Sequence, residues 1–264
     1  MDKDISTVLE GWEYKPNEIS VRRVVGMDGR TKIQMRLELG LLQMEISGHP
    51  NGQRPQGKES WLEHYLSVIE DYRAIHGSEE GFRLDREDCA RLAQEATQYY
   101  YRYLSLMVLE EYDGVARDTA RNLSVLDLVG RYAEDEQDKL SLDQYRPYII
   151  MMNTRARASI CLQRKDYEDA IRIIEDGIQN IETFFGQHHQ PEMSEQSDEL
   201  TFLRNWAAEV EQHRPLSLKE RLQRRLTEAV ASENFEQAAQ LRDMIQKLDK
   251  KRRNKTGPGD AVTR

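Results

Sequence analysis

The side chains that most often do chemistry are thinly spread in this chain of 264 residues, which has six histidines and two cysteines. His49, His76, His188 and His189 fall in stretches broken by Gly or Pro, and His64 and His213 fall on helical stretches with unremarkable neighbours. The pair His188-His189 invites a metal ion, but two adjacent loop residues without a third ligand nearby do not make a coordination set. Cys89 and Cys161 form no CxxC pair, so both are expected to be reduced, buried helix residues. The carboxylates sit at charge-pair spacing, Glu168 with Arg172 for example, and read as solvent-facing. No GxSxG, HExxH, phosphate-loop or GxGxxG pattern occurs in a suitable context. We therefore expect no catalytic residues, no metal and no cofactor. The run Gly48-His49-Pro50-Asn51-Gly52-Gln53-Arg54-Pro55-Gln56-Gly57 is too rich in turn formers for regular structure. It reads as a tight crossing from sheet to helix. A binding loop is the alternative, with His49, Asn51, Gln53, Arg54 and Lys58 as donors to an anion or a peptide backbone.

The chemistry the sequence does advertise is association. In residues 216–250, Leu218, Leu222, Leu226, Ala229 and Val230 follow helical spacing. After Ser232-Glu233-Asn234 a second series runs through Phe235, Ala238, Ala239, Leu241, Ile245 and Leu248. Ser and Asn at the break are good helix initiators, because a short side-chain oxygen can accept from an orphan amide of the next helix. The pattern predicts a helical hairpin in which alanines allow close backbone approach and Phe235 fills the gap at the turn. A hairpin this small buries too little apolar surface to be very stable alone, so its seam calls for a partner.

The series Asn234-Phe235-Glu236-x-Ala238-Ala239-x-Leu241-Arg242-Asp243-x-Ile245, preceded by Leu222, Leu226 and Ala229, resembles the UVR motif. That motif is named for the bacterial excinuclease subunits B and C, which bind each other through it. It also occurs in the activator of a bacterial protein-arginine kinase and in some Clp-type chaperone subunits. The resemblance implies protein docking through Leu222, Leu226, Phe235, Ala238, Ala239, Leu241 and Ile245, with Glu236, Arg242 and Asp243 fixing register by charge. It does not extend further, since the helicase and nuclease motifs of the excinuclease subunits and the CxxC pairs of the kinase activator are missing.

Net charge is −9, but residues 214–255 carry 12 Lys and Arg against 6 Asp and Glu, which leaves −15 for the rest. An acidic body would be repelled by nucleic acid, whose affinity for proteins rests largely on neutralised phosphates. Lys250, Lys251, Arg252 and Arg253 are candidate nucleic-acid contacts, with a solvated helix end favoured by the helix dipole as the alternative. No membrane span or signal peptide is evident, so a cytoplasmic protein is expected.

Hydrophobic content of 38% with charged content of 32% suits a mostly α protein with solvated outer faces. Residues 1–18 read as a flexible arm anchored by Trp12 and Tyr14. Residues 19–84 read as a β-hairpin plus helix unit, with Asp28-Gly29 as its turn and a bulge at Gly40 prolonging it towards Ile46. A helix over residues 37–46 stays open on alternation alone. Ser60 is placed to cap the helix bearing Trp61, Leu62, Tyr65, Leu66, Ile69 and Tyr72.

Residues 85–213 read as a helical array. Within it, Ala158, Leu162, Tyr167, Ala170, Ile174 and Gly177 stand as in a tetratricopeptide repeat, and a degenerate copy begins at Tyr112, weakened by Gly114. About four helices are expected over residues 85–185, with Tyr99, Tyr100, Tyr101 and Tyr103 as packing residues, and another helix starting at Ser197 or Asp198. Residues 216–251 form the UVR-like hairpin after a hinge at Pro215, and 252–264 a disordered tail. The fold class is α+β, dominated by helices.

The function expected from all this is a non-enzymatic adaptor or scaffold that docks a protein partner, in DNA repair or protein quality control. A DNA-repair accessory touching nucleic acid and a homodimerisation module are the alternatives.

Overall fold

A computed structural model describes residues 4–188, 191–216 and 218–255, apart from the side chains of 191, 218–220 and 248–255. The chain divides into two compact units that meet at residues 211 and 212. It is mostly α, with one small sheet.

In the first unit a short helix α1 (Ser6–Leu9) precedes strands β1 (Val21–Val25), β2 (Thr31–Leu37) and β3 (Gly40–Glu45), which pair antiparallel in that order. The Asp28-Gly29 turn falls as expected, with Gly29 at φ +73°. Gly40 is not a bulge. It pairs with Leu37 across a tight turn at Glu38-Leu39 and so opens a third strand, which also rules out a helix there. Ile33, Met35 and Met44 face the core, whereas Leu39 is exposed at the turn. Trp12 anchors the preceding segment: its indole N–H donates to Ser20 Oγ (2.6 Å), and the Arg22 guanidinium lies 4.0 Å from its ring centre.

After a 3-10 turn at Pro55–Gly57 the chain is helical: α2 (Trp61–His76), α3 (Arg86–Val108), α4 (Tyr112–Tyr132), α5 (Glu136–Asp143), α6 (Arg146–Gln163), α7 (Tyr167–Gln187), α8 (Pro191–Gln196) and α9 (Asp198–His213). Caps explain the starts. Ser60 Oγ accepts from the Glu63 amide, and Asp85 with Asp88 forms a reciprocal capping box. Ser197 Oγ accepts from the Leu200 amide (3.2 Å). The short α5 is the element the four-helix expectation left out of the array.

Three apolar cores run along this unit. The first joins α2 to the opening turns of α3 and the closing turns of α4. A second seats β2 and β3 on the opposite ends of those two helices, with Met152 and Ala156 of α6. In the third, α6, α7 and α9 pack through Ala158, Ala170, Ile174, Ile181, Leu200 and Leu203, all fully buried. Two glycines set these spacings. A Cβ on Gly177 would lie 2.2 Å from Thr154 Oγ1, and one on Gly114 would lie 2.8 Å from Leu106 Cδ1. Gly114 is therefore a close-approach residue between α3 and α4, beyond any weakening of its helix start. Cys89 is buried as expected, while Cys161 is only partly covered.

The turns of α3–α4 and α6–α7 are built alike. Glu110 (φ +57°) donates its amide to the Met107 carbonyl, and the next amide reaches the Leu106 carbonyl (2.9 Å). Lys165 (φ +62°) bonds Leu162 in the same way, and Asp166 reaches Cys161 (2.9 Å). This left-handed cap satisfies orphan carbonyls of the ending helix. One residue later each new helix opens on a half-buried tyrosine, Tyr112 or Tyr167.

Two carboxylates depart from the solvent-facing expectation. Asp118 is fully buried and pairs in bidentate fashion with Arg102 (2.7 and 2.8 Å), itself 1% exposed. The same guanidinium donates to the carbonyls of Gly48 (2.7 Å) and Glu45 (3.2 Å), tying sheet and loop to α3 and α4. Glu95 is also buried. One of its oxygens takes the His49 ring (2.9 Å) and the Trp61 amide (2.7 Å), and the other pairs with Arg121. Burial in low dielectric and the nearby Arg121 and Arg102 charges hold the His49 pKa below its ordinary value.

Candidate functional site

The second unit is a hairpin of α10 (Leu218–Ala231) and α11 (Phe235–Lys255). Its turn repeats the design of the other two. Glu233 adopts φ +57° and bonds the Val230 carbonyl (3.1 Å), and the Asn234 amide reaches the Ala229 carbonyl (2.9 Å). Asn234 then caps α11 by accepting from the Gln237 amide (3.2 Å), which is the role its residue type suggests. Ser232 instead returns its hydroxyl to the Glu228 carbonyl (3.0 Å) and closes α10.

Spacing decides which side chains the two helices turn towards each other. Leu222 and Ala229 of α10 are buried with Ala238 and Leu241 of α11, and Leu226 and Ile245 pack against them half-covered. Two leucines and two alanines bury only a few kcal/mol of apolar transfer energy.

The remaining residues of the expected docking set lie outside this seam. Phe235 is 69% exposed and Ala239 is exposed one turn on, while Val230 and Met244 are each 51% exposed. Glu236, Arg242 and Asp243 are exposed as well, with Arg242 and Asp243 3.7 Å apart. Glu236 and Asp243 are seven residues apart and so share a face. The ten residues thus sort into an inner set that closes the hairpin and an outer set headed by one aromatic ring. The side chains of Lys250, Lys251, Arg252 and Arg253 lie outside the described ones; their backbone continues α11.

The sequence reading missed that Phe235 occupies the place of Tyr112 and Tyr167, first in its helix and directly after the capping residue. In α4 and α7 that ring is half-covered by neighbouring elements, and in α11 it is not. The signal was present in Glu110-Glu111-Tyr112, Lys165-Asp166-Tyr167 and Glu233-Asn234-Phe235, which share a polar pair followed by an aromatic.

The loop over residues 48–57 uses some of its polar groups internally, while the exposed Asn51, Gln53 and Arg54 line a cleft of about 460 Å³ with Arg91, Gln94 and Gln98. His49 is held by Glu95, the Gln53 amide bonds Asn51 Oδ1 (2.8 Å), and Lys58 Nζ reaches Ser67 Oγ (3.2 Å). His188, half of the histidine pair, bonds Asp143 Oδ2 (3.1 Å), and His189 lies outside the described residues. No helix among the described residues is long and apolar enough to cross a membrane.

Residues 217–251 match the UvrB/uvrC motif, 35 residues of the 264. Neither a curated protein nor a solved structure matches the chain. The class so defined is a helical protein bearing a UVR motif, a module that mediates protein–protein interaction.

Proposed function

We propose that this chain is a non-enzymatic cytoplasmic adaptor whose helical body serves as scaffold and whose UVR hairpin docks a protein partner. The observation that carries the reading is Phe235: the ring at this position is half-covered in two hairpins of the body and 69% exposed in the third. An apolar partner helix laid against Phe235, Ala239 and the half-covered Leu226 and Ile245 would supply the missing neighbour, with Arg242, Asp243 and Glu236 setting register. Carriers of the motif make an excinuclease subunit, a Clp-type chaperone or a regulated kinase the first partners to try, which would place the adaptor in DNA repair or protein quality control. The test compares the full chain, a chain ending at Arg214 and Phe235→Ala in affinity purification from native cells, followed by titration of the purified partner. Loss of the partner in both altered chains supports the reading, and retention by Phe235→Ala refutes the mechanism.

The +6 balance of residues 214–255 favours a second reading, direct contact with nucleic acid through Lys250, Lys251, Arg252 and Arg253. It requires binding that weakens steeply with salt and disappears when the four are neutralised. A salt-independent result dismisses it. Self-association is the third outcome of the same experiments, seen as a dimer that Phe235→Asp converts to monomer.

A further inference from the structure

The body repeatedly seats guanidinium groups over aromatic rings. Arg22 lies over Trp12, Arg91 over Trp61, Arg102 and Arg121 over Tyr99, Arg131 over Tyr132 and Arg155 over Phe202, at 4.0 to 5.4 Å from the ring centres. The tyrosines of one cleft are among the rings without such cover. Tyr100, Tyr101 and Tyr103 of α3, with Tyr145 just before α6 and Tyr148 within it, line a cleft of about 560 Å³. Glu199 of α9 is its one charged lining residue, with Ser197 Oγ donating to one carboxylate oxygen (2.8 Å).

The rings are crossed, not stacked. Tyr100 stands 5.4 Å from Tyr101 and from Tyr103 and 6.3 Å from Tyr148, with interplanar angles of 58°, 90° and 57°. Tyr100 and Tyr103 meet edge to face and the other two pairs are tilted, so the rings do not cover one another's faces. Tyr103, the most buried of them at 1% exposure, closes the floor of the cleft.

The sign of the charge selects the ligand. No Lys, Arg or His lines the cleft, so an anion would find no counter-charge. The guanidinium whose field reaches Tyr148, that of Arg155, is engaged over Phe202. Electron-rich ring faces and a carboxylate are the environment that attracts an organic cation. The volume falls within the range of small-molecule sites.

We propose that this cleft binds a small organic ammonium compound, its charged head against the tyrosine faces and near Glu199. The site is independent of the hairpin and of the docking function read from it. Choline and its uncharged isostere 3,3-dimethylbutan-1-ol are titrated into the full chain and followed by NMR shifts of the tyrosine rings. Choline is expected to saturate, with the neutral isostere about tenfold weaker. Tyr148→Phe, which keeps the ring, should hold choline affinity within about threefold, whereas Tyr148→Leu and Glu199→Gln should each lower it. Thermal melts establish that each variant is folded; Glu199→Gln, at a half-exposed position, carries the test if Tyr148→Leu is not. Equal binding of choline and its isostere overturns the proposal, as does unchanged choline affinity in Glu199→Gln. So does the absence of any choline response up to about 50 mM, the weak end of measurable affinity.

Discussion

Truncating Phe235 tests the proposed docking apart from folding, because the hairpin rests on a different set of residues. Phe235 keeps 69% of its surface exposed, so about a third of its burial energy is at stake in the isolated chain. Full burial of such a ring is worth about 3 kcal/mol at most, so Phe235→Ala should cost the hairpin about 1 kcal/mol or less. Leu241 is 5% exposed, and Leu241→Ala carries the usual core penalty of about 2 to 5 kcal/mol. That is comparable to the whole stability a pair of short helices can muster. Amide hydrogen exchange across residues 218–255, measured beside titration of a purified partner, distinguishes the two. Phe235→Ala should leave protection nearly unchanged while weakening the partner by about 2 kcal/mol, roughly thirtyfold in Kd. Leu241→Ala should lose protection and binding together. Full affinity in Phe235→Ala, or collapse of its amide protection, would refute the division into inner and outer sets.

Three further outcomes follow from the body. Asp118→Ala strands the buried Arg102 guanidinium and should cost about 3 to 5 kcal/mol, seen as a fall in Tm of about 10 °C. Gly177→Ala drives a methyl into Thr154 and should cost about 1 to 3 kcal/mol by urea unfolding. Thr154→Ala, which removes the two closest of the three atoms met, should recover part of that loss. Because the folded state depresses the His49 pKa, the unfolded chain binds the extra proton first as pH falls below about 6.5. Stability should therefore decline with acidification from that point down to the folded pKa of His49, and His49→Gln should remove this component in pH-dependent denaturant titrations.

Local chemistry was legible where one residue type has one job. Ser60 caps a helix because a short oxygen beside a helical apolar stripe has little else to do, and the helix start at Ser197 or Asp198 was legible on the same ground. The hairpin of residues 216–250 was legible because its stripe sits at 3.6-residue spacing on both sides of a polar break. The buried ion pairs were not, since each member looks like an ordinary surface charge when taken alone. Their signal was positional: Glu95 and Arg102 fall on the stripe of Leu92, Ala96, Tyr99 and Tyr103, and Asp118 on that of Val115, Asn122 and Val125. A charge on an apolar stripe must find a partner inside, and the partner, sixteen residues off for Arg102, depends on how α3 and α4 cross. Gly40 misled for a related reason. Alternation survives a two-residue turn, so a third strand and a prolonged second one share the same pattern until pairing is seen. Within the docking set, spacing could assign a face to each residue, but only the hairpin's own closure separated Leu241 from Phe235.

The three helical corners at Glu110, Lys165 and Glu233 each place a side-chain-bearing residue where glycine is at home. A non-glycine residue in that backbone region gives up about 1 kcal/mol, part of which glycine would return after its larger loss of freedom on folding. The molecule thus holds a reserve of thermal robustness at each of these corners. At Glu233 that reserve lies beside Phe235, so relaxing the corner there would also alter how firmly the ring is presented to whatever meets it.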